Sequence, residues 1–131
     1  SERIKPDYAI VIESTAVADI AGVAENSRVA KLGCGGVISF ADRATIYGRD
    51  FLDYFTGILD RDEIPYQIKR YVSGGNDASH IQRSAQGVKV LAISAPSRYI
   101  HSPSDVVSYK DVENMYRAVL AVMTNKELPK R

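Results

Sequence analysis

The sequence predicts an α/β domain, a three-layer α/β/α arrangement on a largely parallel mixed sheet. Three observations lead there. Two runs, residues 8–13 (Tyr-Ala-Ile-Val-Ile-Glu) and 88–93 (Val-Lys-Val-Leu-Ala-Ile), are short and almost wholly apolar, the pattern of strands covered on both faces. Two longer segments carry apolar residues at helical spacing. After the first third of the chain, helices and strands alternate, which favours helices laid against a sheet with ligands beyond the carboxyl ends of its strands.

Taken in order, residues 8–13 predict the first strand. Residues 14–23 are small and without clear period, as in an ordered loop lining a cleft. Residues 28–32 predict a short strand ending at Gly33-Cys34-Gly35-Gly36, where three glycines in four positions allow positive φ or close approach. Residues 37–42 predict another strand. Asp50 is placed as N-cap of a helix whose Phe51, Leu52, Phe55, Ile58 and Leu59 share one face. Pro65 opens a strand in which Tyr66, Ile68, Arg70 and Val72 alternate with Gln67, Lys69 and Tyr71, as expected nearer a sheet edge.

Ser73-Gly74-Gly75-Asn76-Asp77 predicts a tight turn into a helix carrying Ala78, Ile81 and Ala85 inward, with Gly87 closing it. The strand at 88–93 leads through Ser94-Ala95-Pro96 into the loop around His101. Ser108 and Asp111 resemble a capping box with Asp in place of Glu or Gln. The last helix presents Val112, Met115, Tyr116, Val119, Leu120 and Met123 as a core-facing stripe.

The composition narrows the function. One domain of 131 residues is long enough to bury a core without staples, and 45% apolar with 25% charged residues is ordinary for a globular protein. A net charge of +1 gives no electrostatic reason to expect nucleic acid or an anionic membrane. A single cysteine cannot form an internal disulfide, which points to a reducing compartment, hence the cytoplasm. No apolar stretch approaches the roughly 20 residues that span a bilayer, and the start lacks the pattern of a signal peptide. The chain opens on Ser1 and enters a strand by Tyr8, as expected of a processed chain or a piece of something longer.

Glu13, the Gly74-Gly75 turn and His101 all follow apolar strands and can share one rim of a sheet. Phosphate binding at the turn is disfavoured, because Asp77 would repel an anion and the motif is neither Walker A nor a dinucleotide fingerprint. A Cys34–His101 nucleophile pair lacks a visible activating neighbour for the thiol. A metal site with Glu13 and His101 as carboxylate and imidazole ligands remains, although two ligands do not hold a divalent ion well, and no general base is apparent. His80, the other histidine, falls within a predicted helix.

A resemblance sharpens this. The segments Pro6-Asp7, Ile12-Glu13-Ser14-Thr15, Ala18-Asp19-Ile20-Ala21-Gly22-Val23, Lys31-Leu32-Gly33, Ile64-Pro65-Tyr66-Gln67, Gly74-Gly75-Asn76-Asp77-Ala78, Arg98-Tyr99-Ile100-His101-Ser102-Pro103 and Asp111-Val112-Glu113-Asn114 run nearly end to end. Together they resemble the C-terminal half of the catalytic domain of the family M42 metallo-aminopeptidases, which include glutamyl and tetrahedral aminopeptidases and some members labelled endoglucanases. The resemblance implies a zinc-peptidase half-domain of phosphorylase/hydrolase type, with two divalent ions, zinc or cobalt, in the complete protein. Glu13 matches a terminal carboxylate ligand of one ion, where many relatives have Asp, and His101 matches the imidazole ligand of the other. Ala16, Gly74, Gly75 and Asp77 match the substrate-binding region, although Asn76 replaces a common Thr and Ser79 a common Gly. Asp77 could equally serve as a plain helix N-cap.

The family's upstream features have no counterpart here. The sequence contains no His-x-Asp motif, no Asp-Asn-Arg segment carrying the bridging carboxylate and no Glu-Glu pair carrying the general base. The family's inserted small β domain is also missing. Residues 1–131 are therefore expected to be a single partial catalytic domain, with no catalytic base of its own and little activity alone. The implied partners are a peptide substrate and further copies of the full-length protein. Two rivals are a non-catalytic assembly or peptide-binding domain, and a hydrolase acting on N-acyl amino acids or glycosides. Glycosidase chemistry needs paired carboxylates flanking a sugar, which Glu13 and Asp19 do not evidently form.

Overall fold

The computed structural model describes residues 3–84, 86–125, 127 and 129. A five-stranded mixed sheet is built from β1 (Tyr8–Ala16), β2 (Gly36–Ile38), β3 (Tyr66–Ile68), β4 (Lys89–Arg98) and β5 (Val106–Val107). The order is β1-β4-β2-β3, with β5 also paired to β4. The β1–β4 and β2–β3 pairs are parallel; β4 meets β2 and β5 antiparallel. Helices α1 (Arg49–Arg61), α2 (Ala78–Gln82) and α3 (Tyr109–Thr124) cover the sheet.

The period-2 geometry of β4 divides the core. Leu91 and Ile93 point to one face, where they pack with Ile38, with Phe51, Leu52, Phe55, Ile58 and Leu59 of α1, and with Ala118 and Val122 of α3. Val90 and Ala92 point to the other face, against Ala78 at the start of α2, Tyr47 and Val88. Hence the three layers expected from the sequence. Strand β1 also sends Tyr8 and Ile10 to one face and Ala9 and Val11 to the other, but all four are only half-buried because β1 lies at the sheet edge.

Several local expectations change. Residues 28–32 form no strand. The N–H groups of Val29 and Ala30 both donate to the Val17 carbonyl, Lys31 N–H to the Gln67 side chain and Leu32 N–H to Asp19, so the backbone is satisfied without a ladder. The strand expected to reach residue 42 stops at Ile38, and Asp42 Oδ1 instead accepts from the N–H groups of Ala44 and Thr45 at 2.8 Å each, closing a turn. The N-cap of α1 is Gly48, and Asp50 sits inside the first turn, paired with Lys89.

Strand β4 runs through Pro96 to Arg98. Proline is tolerated because it lies between the stretch paired with β2 (Ile93, Ser94) and the stretch paired with β5 (Ser97, Arg98). The alternation expected to continue to residue 72 ends with β3 at Ile68: Lys69 is buried, whereas Ile68, Arg70 and Val72 are exposed. Gly87 does adopt positive φ after α2, while Ala85 lies outside the described residues.

The capping box at Ser108 does not form. The Asp111 carboxylate is fully buried and accepts from Gly33 N–H at 2.6 Å and Gly35 N–H at 2.8 Å. It ties the glycine turn to α3. The buried line of α3 is consequently Asp111, Asn114, Ala118 and Val122, flanked by half-buried Met115 and Val119. Tyr116, Leu120 and Met123 of the expected stripe are exposed. Among the described residues, no helix is long and apolar enough to cross a membrane.

Candidate metal and substrate cleft

The parallel β1–β4 pair sets Glu13 beside Ser94 and Ala16 beside Ser97. Both strands therefore deliver their carboxyl ends to one rim, and the loop following β4 brings His101 back over it. The result is a cleft of about 370 Å³ lined by Glu13, Ser14, Thr15, Ala16, Lys69, Ser73, Gly74, Gly75, Ile100 and His101. Five sequence-predicted residues thus meet in one place: Glu13, Ala16, Gly74, Gly75 and His101. Glu13 lies three residues before the end of β1 rather than at it.

The backbone around the cleft is held in unusual conformations. Tyr99 (φ 61°) and His101 (φ 65°) are both left-handed, as is Ala18 (φ 56°) in the adjoining loop. Non-glycine residues in this region cost free energy and are kept where surrounding contacts impose them, often beside a functional site. One such contact is the Arg98–Asp19 pair. Arg98 Nε donates to Asp19 Oδ1 at 2.6 Å, and Nη2 donates to Oδ2 at 3.1 Å, joining the end of β4 to the 17–24 loop. The Arg98 guanidinium holds the Asp19 carboxyl below its ordinary range. Gly74, with φ +68°, makes the turn that lines the opposite wall, and its carbonyl accepts from Arg43 N–H.

Glu13 is tied to the protein through one oxygen. Asn76 Nδ2 donates to Glu13 Oε1 at 3.0 Å. Burial raises the Glu13 carboxyl above its ordinary value, opposed by the Asn76 hydrogen bond and the positive charge of Lys69, while Asp42 and Asp77 push it up further. Lys69 is 6% exposed and donates from Nζ to the Ser73 carbonyl at 2.8 Å. Burial lowers its ammonium below the usual lysine range, opposed by Glu13 and Asp42.

Asp77 does not line the cleft and makes no side-chain cap at α2. The neighbouring Asn76 takes that part, its Oδ1 accepting from Ala78 N–H at 2.8 Å. Lys69, Asp42 and Tyr47 carry no sequence signal at this site. Lys69 sits on what alternation assigns to the polar side of an edge strand, and Asp42 and Tyr47 arrive through a turn whose closure depends on tertiary contacts.

The donor set suits a divalent ion in type but not in number. One carboxylate and one imidazole face the same cleft, and Glu13 retains Oε2 beyond the Asn76 bond. No group of three or more His, Cys, Asp or Glu side chains able to hold an ion occurs among the described residues. Two such donors are fewer than the three protein ligands of an ordinary catalytic metal site.

Comparison with known proteins identifies the relatives of this chain. The family model for M42 glutamyl aminopeptidase matches residues 1–117. A protein of Acetivibrio thermocellus named as an aminopeptidase is 33% identical over 119 residues, covering 89% of this chain and 35% of its own length. An aminopeptidase structure from the archaeon Desulfurococcus kamchatkensis superposes with a TM-score of 0.89 at 34% identity, covering 92% of this chain and 35% of that one. A TET peptidase of Pyrococcus horikoshii, which can assemble into a tetrahedron or a large octahedral shell, gives a TM-score of 0.72 at 32% identity over 89% of this chain and 33% of its own. The chain spans about a third of the length of these relatives. With the family model covering most of its residues, the chain belongs to the M42 glutamyl aminopeptidase family.

Proposed function

We propose that this chain is the C-terminal half of the catalytic domain of a cytoplasmic dimetal aminopeptidase that removes N-terminal residues from peptides. The observation that carries the proposal is the convergence of Glu13, His101 and the Gly74-Gly75 turn on one cleft. Glu13 would hold one divalent ion, zinc or cobalt, through its carboxylate, and His101 the other through its imidazole. Bound there, such ions supply Lewis-acid polarisation of the scissile carbonyl and a nucleophilic water at neutral pH.

The chain's own residues position these ligands and shape the pocket. Asn76 fixes one oxygen of Glu13, and the Arg98–Asp19 pair braces the strand end that carries the His101 loop. Ala16 and the Gly74-Gly75 turn present small residues and backbone to the substrate's first side chain, leaving room for it. The general base and remaining ligands would come from the upstream half of the domain. The P. horikoshii relative's assembly supports a homo-oligomeric complete protein.

The test is hydrolysis of aminoacyl-p-nitroanilides and bound-metal content for this chain and for the complete reading frame that encodes it. Turnover and two metals per subunit are expected only in the longer protein. Substantial metal-dependent turnover by the 131-residue chain would contradict its assignment as a half-domain. A longer protein that binds no metal would leave the non-catalytic assembly or peptide-binding reading in its place.

A further inference from the structure

Behind the cleft a closed polar network connects three segments that are distant in sequence. The Asn76 amide is its hub. Oδ1 accepts from Ala78 N–H at 2.8 Å. Nδ2 donates to Glu13 Oε1 at 3.0 Å and to the Tyr47 hydroxyl at 3.0 Å, with Asp42 Oδ2 a longer third acceptor at 3.4 Å. The Tyr47 hydroxyl donates in turn to Asp42 Oδ2 at 2.7 Å, and Asp42 Oδ1 accepts from Ala44 and Thr45 N–H. Tyr47 and Asp42 are 4% and 7% exposed.

The direction of every bond is fixed by chemistry. The Ala78 N–H can only donate, so it demands the amide oxygen. That leaves the NH₂ group for the Glu13 and Asp42 carboxylate oxygens. A flipped amide would set oxygen against two carboxylates and NH₂ against an N–H, so the orientation follows from the partners rather than from choice. An amide has two hydrogens. One goes to Glu13 and the other to Tyr47, which can accept because its own proton is committed to Asp42. Linked bonds of this kind hold their geometry more firmly than separate bonds would, because each bond polarises the next.

We propose that Asn76 is the positioning residue for Glu13, holding Oε1 so that Oε2 is presented to the cleft, with Tyr47 and Asp42 locking Asn76 from behind. The role in metal binding rests on the dimetal reading above; the orientation of Glu13 by Asn76 does not. The arrangement is the usual logic of an outer-sphere group that orients a ligand, whose loss commonly weakens metal affinity about 10–100-fold. It also explains why Asn suits this position: the side chain must cap α2 with its oxygen while donating from its nitrogen to two acceptors, which no hydroxyl can do.

Two measurements decide it. The first needs no metal: in amide-detected NMR of this chain, the Asn76 side-chain NH₂ pair is expected to exchange slowly with solvent. Glu13→Ala should shift one of its two proton resonances, and Tyr47→Phe the other. An Asn76 pair that exchanges freely, or that ignores both substitutions, overturns the proposal whether or not the protein binds zinc. The second is zinc affinity of the complete protein, by competition with a chromophoric chelator. Asn76→Asp keeps the oxygen that caps α2 but replaces the donor with an acceptor facing Glu13. It should weaken zinc about 10–100-fold, with Tyr47→Phe falling between it and the parent. Zinc affinity unchanged in a folded Asn76→Asp protein overturns the positioning role. If the parent protein binds no zinc, the dimetal reading fails, and the NMR result alone decides whether Asn76 orients Glu13.

Discussion

Replacing Asp111 with Ala should destabilise the fold by about 3–4 kcal/mol. The side chain is fully buried and its two oxygens accept separately from Gly33 and Gly35 N–H at 2.6 and 2.8 Å. Removing the acceptor strands two backbone donors, each costing about 1–3 kcal/mol according to how far water can reach it. The Gly33 bond is partly buried and recovers some hydration; the Gly35 bond is buried and recovers little. An extra contribution comes from the first turn of α3, where a carboxylate faces the positive end of the helix dipole. For a chain of this length, total stability is about 7–20 kcal/mol at the usual per-residue range, so the loss is a large fraction. Asp111→Asn keeps one acceptor and turns an NH₂ group toward the second donor, and should lose about 1–3 kcal/mol. Urea denaturation followed by far-ultraviolet circular dichroism measures both, with exposed Glu113→Ala as the reference. An Asp111→Ala protein within about 0.5 kcal/mol of the parent, the range of ordinary surface changes, would refute the clamp.

Two glycines should respond with opposite signs. A Cβ at Gly35 (φ +89°) would lie 2.1 Å from the Pro65 carbonyl oxygen, so Gly35→Ala should cost about 3 kcal/mol or more, whereas Gly57 within α1 has nothing within 4 Å and Gly57→Ala should gain about 0.5–1 kcal/mol by helix propensity; thermal melts of both compare them. The Arg98–Asp19 pair should show in the acid range. The Asp19 carboxyl lies below its ordinary 3.8 chiefly through the Arg98 hydrogen bonds. Its stabilisation is therefore complete above pH 3.8 and lost as pH falls through the lower folded value. The stability difference between the parent and Asp19→Asn should be largest near neutrality and vanish below that folded value. A difference independent of pH would exclude an ionic role for Asp19.

What was legible in the sequence was what burial dictates. The runs at 8–13 and 88–93, and the apolar face of α1 from Phe51 to Leu59, depend on periodicity alone, and they fold as expected. That Glu13 and His101 line one cleft follows from the parallel β1–β4 pair, although Glu13 lies within β1 rather than after it and only His101 follows its strand. What failed was polar chemistry at long range. Asp111 looked like a capping-box residue because Ser108 precedes it by three positions, yet its carboxylate reaches a glycine turn 76 residues away. That competition is invisible locally, and it also turns α3 so that Tyr116 and Met123 are left in solvent. Residues 28–32 had strand composition, but composition does not say whether a ladder partner exists. Lys69 is the sharpest case, since alternation assigns it to the polar side of a strand that ends before it, and the Ser73 carbonyl and the nearby carboxylates account for its burial.

The most direct test of the central claim, that one cleft unites Glu13 and His101 as ligands of two separate ions, is metal stoichiometry in the complete protein. The measurement is zinc per subunit by atomic spectroscopy after chelator-controlled loading, for the parent, Glu13→Ala and His101→Ala. Close to two are expected for the parent and close to one for each variant, with p-nitroanilide hydrolysis lost in both. Two zinc ions retained with Glu13 and His101 each replaced, or none in the parent, would contradict it.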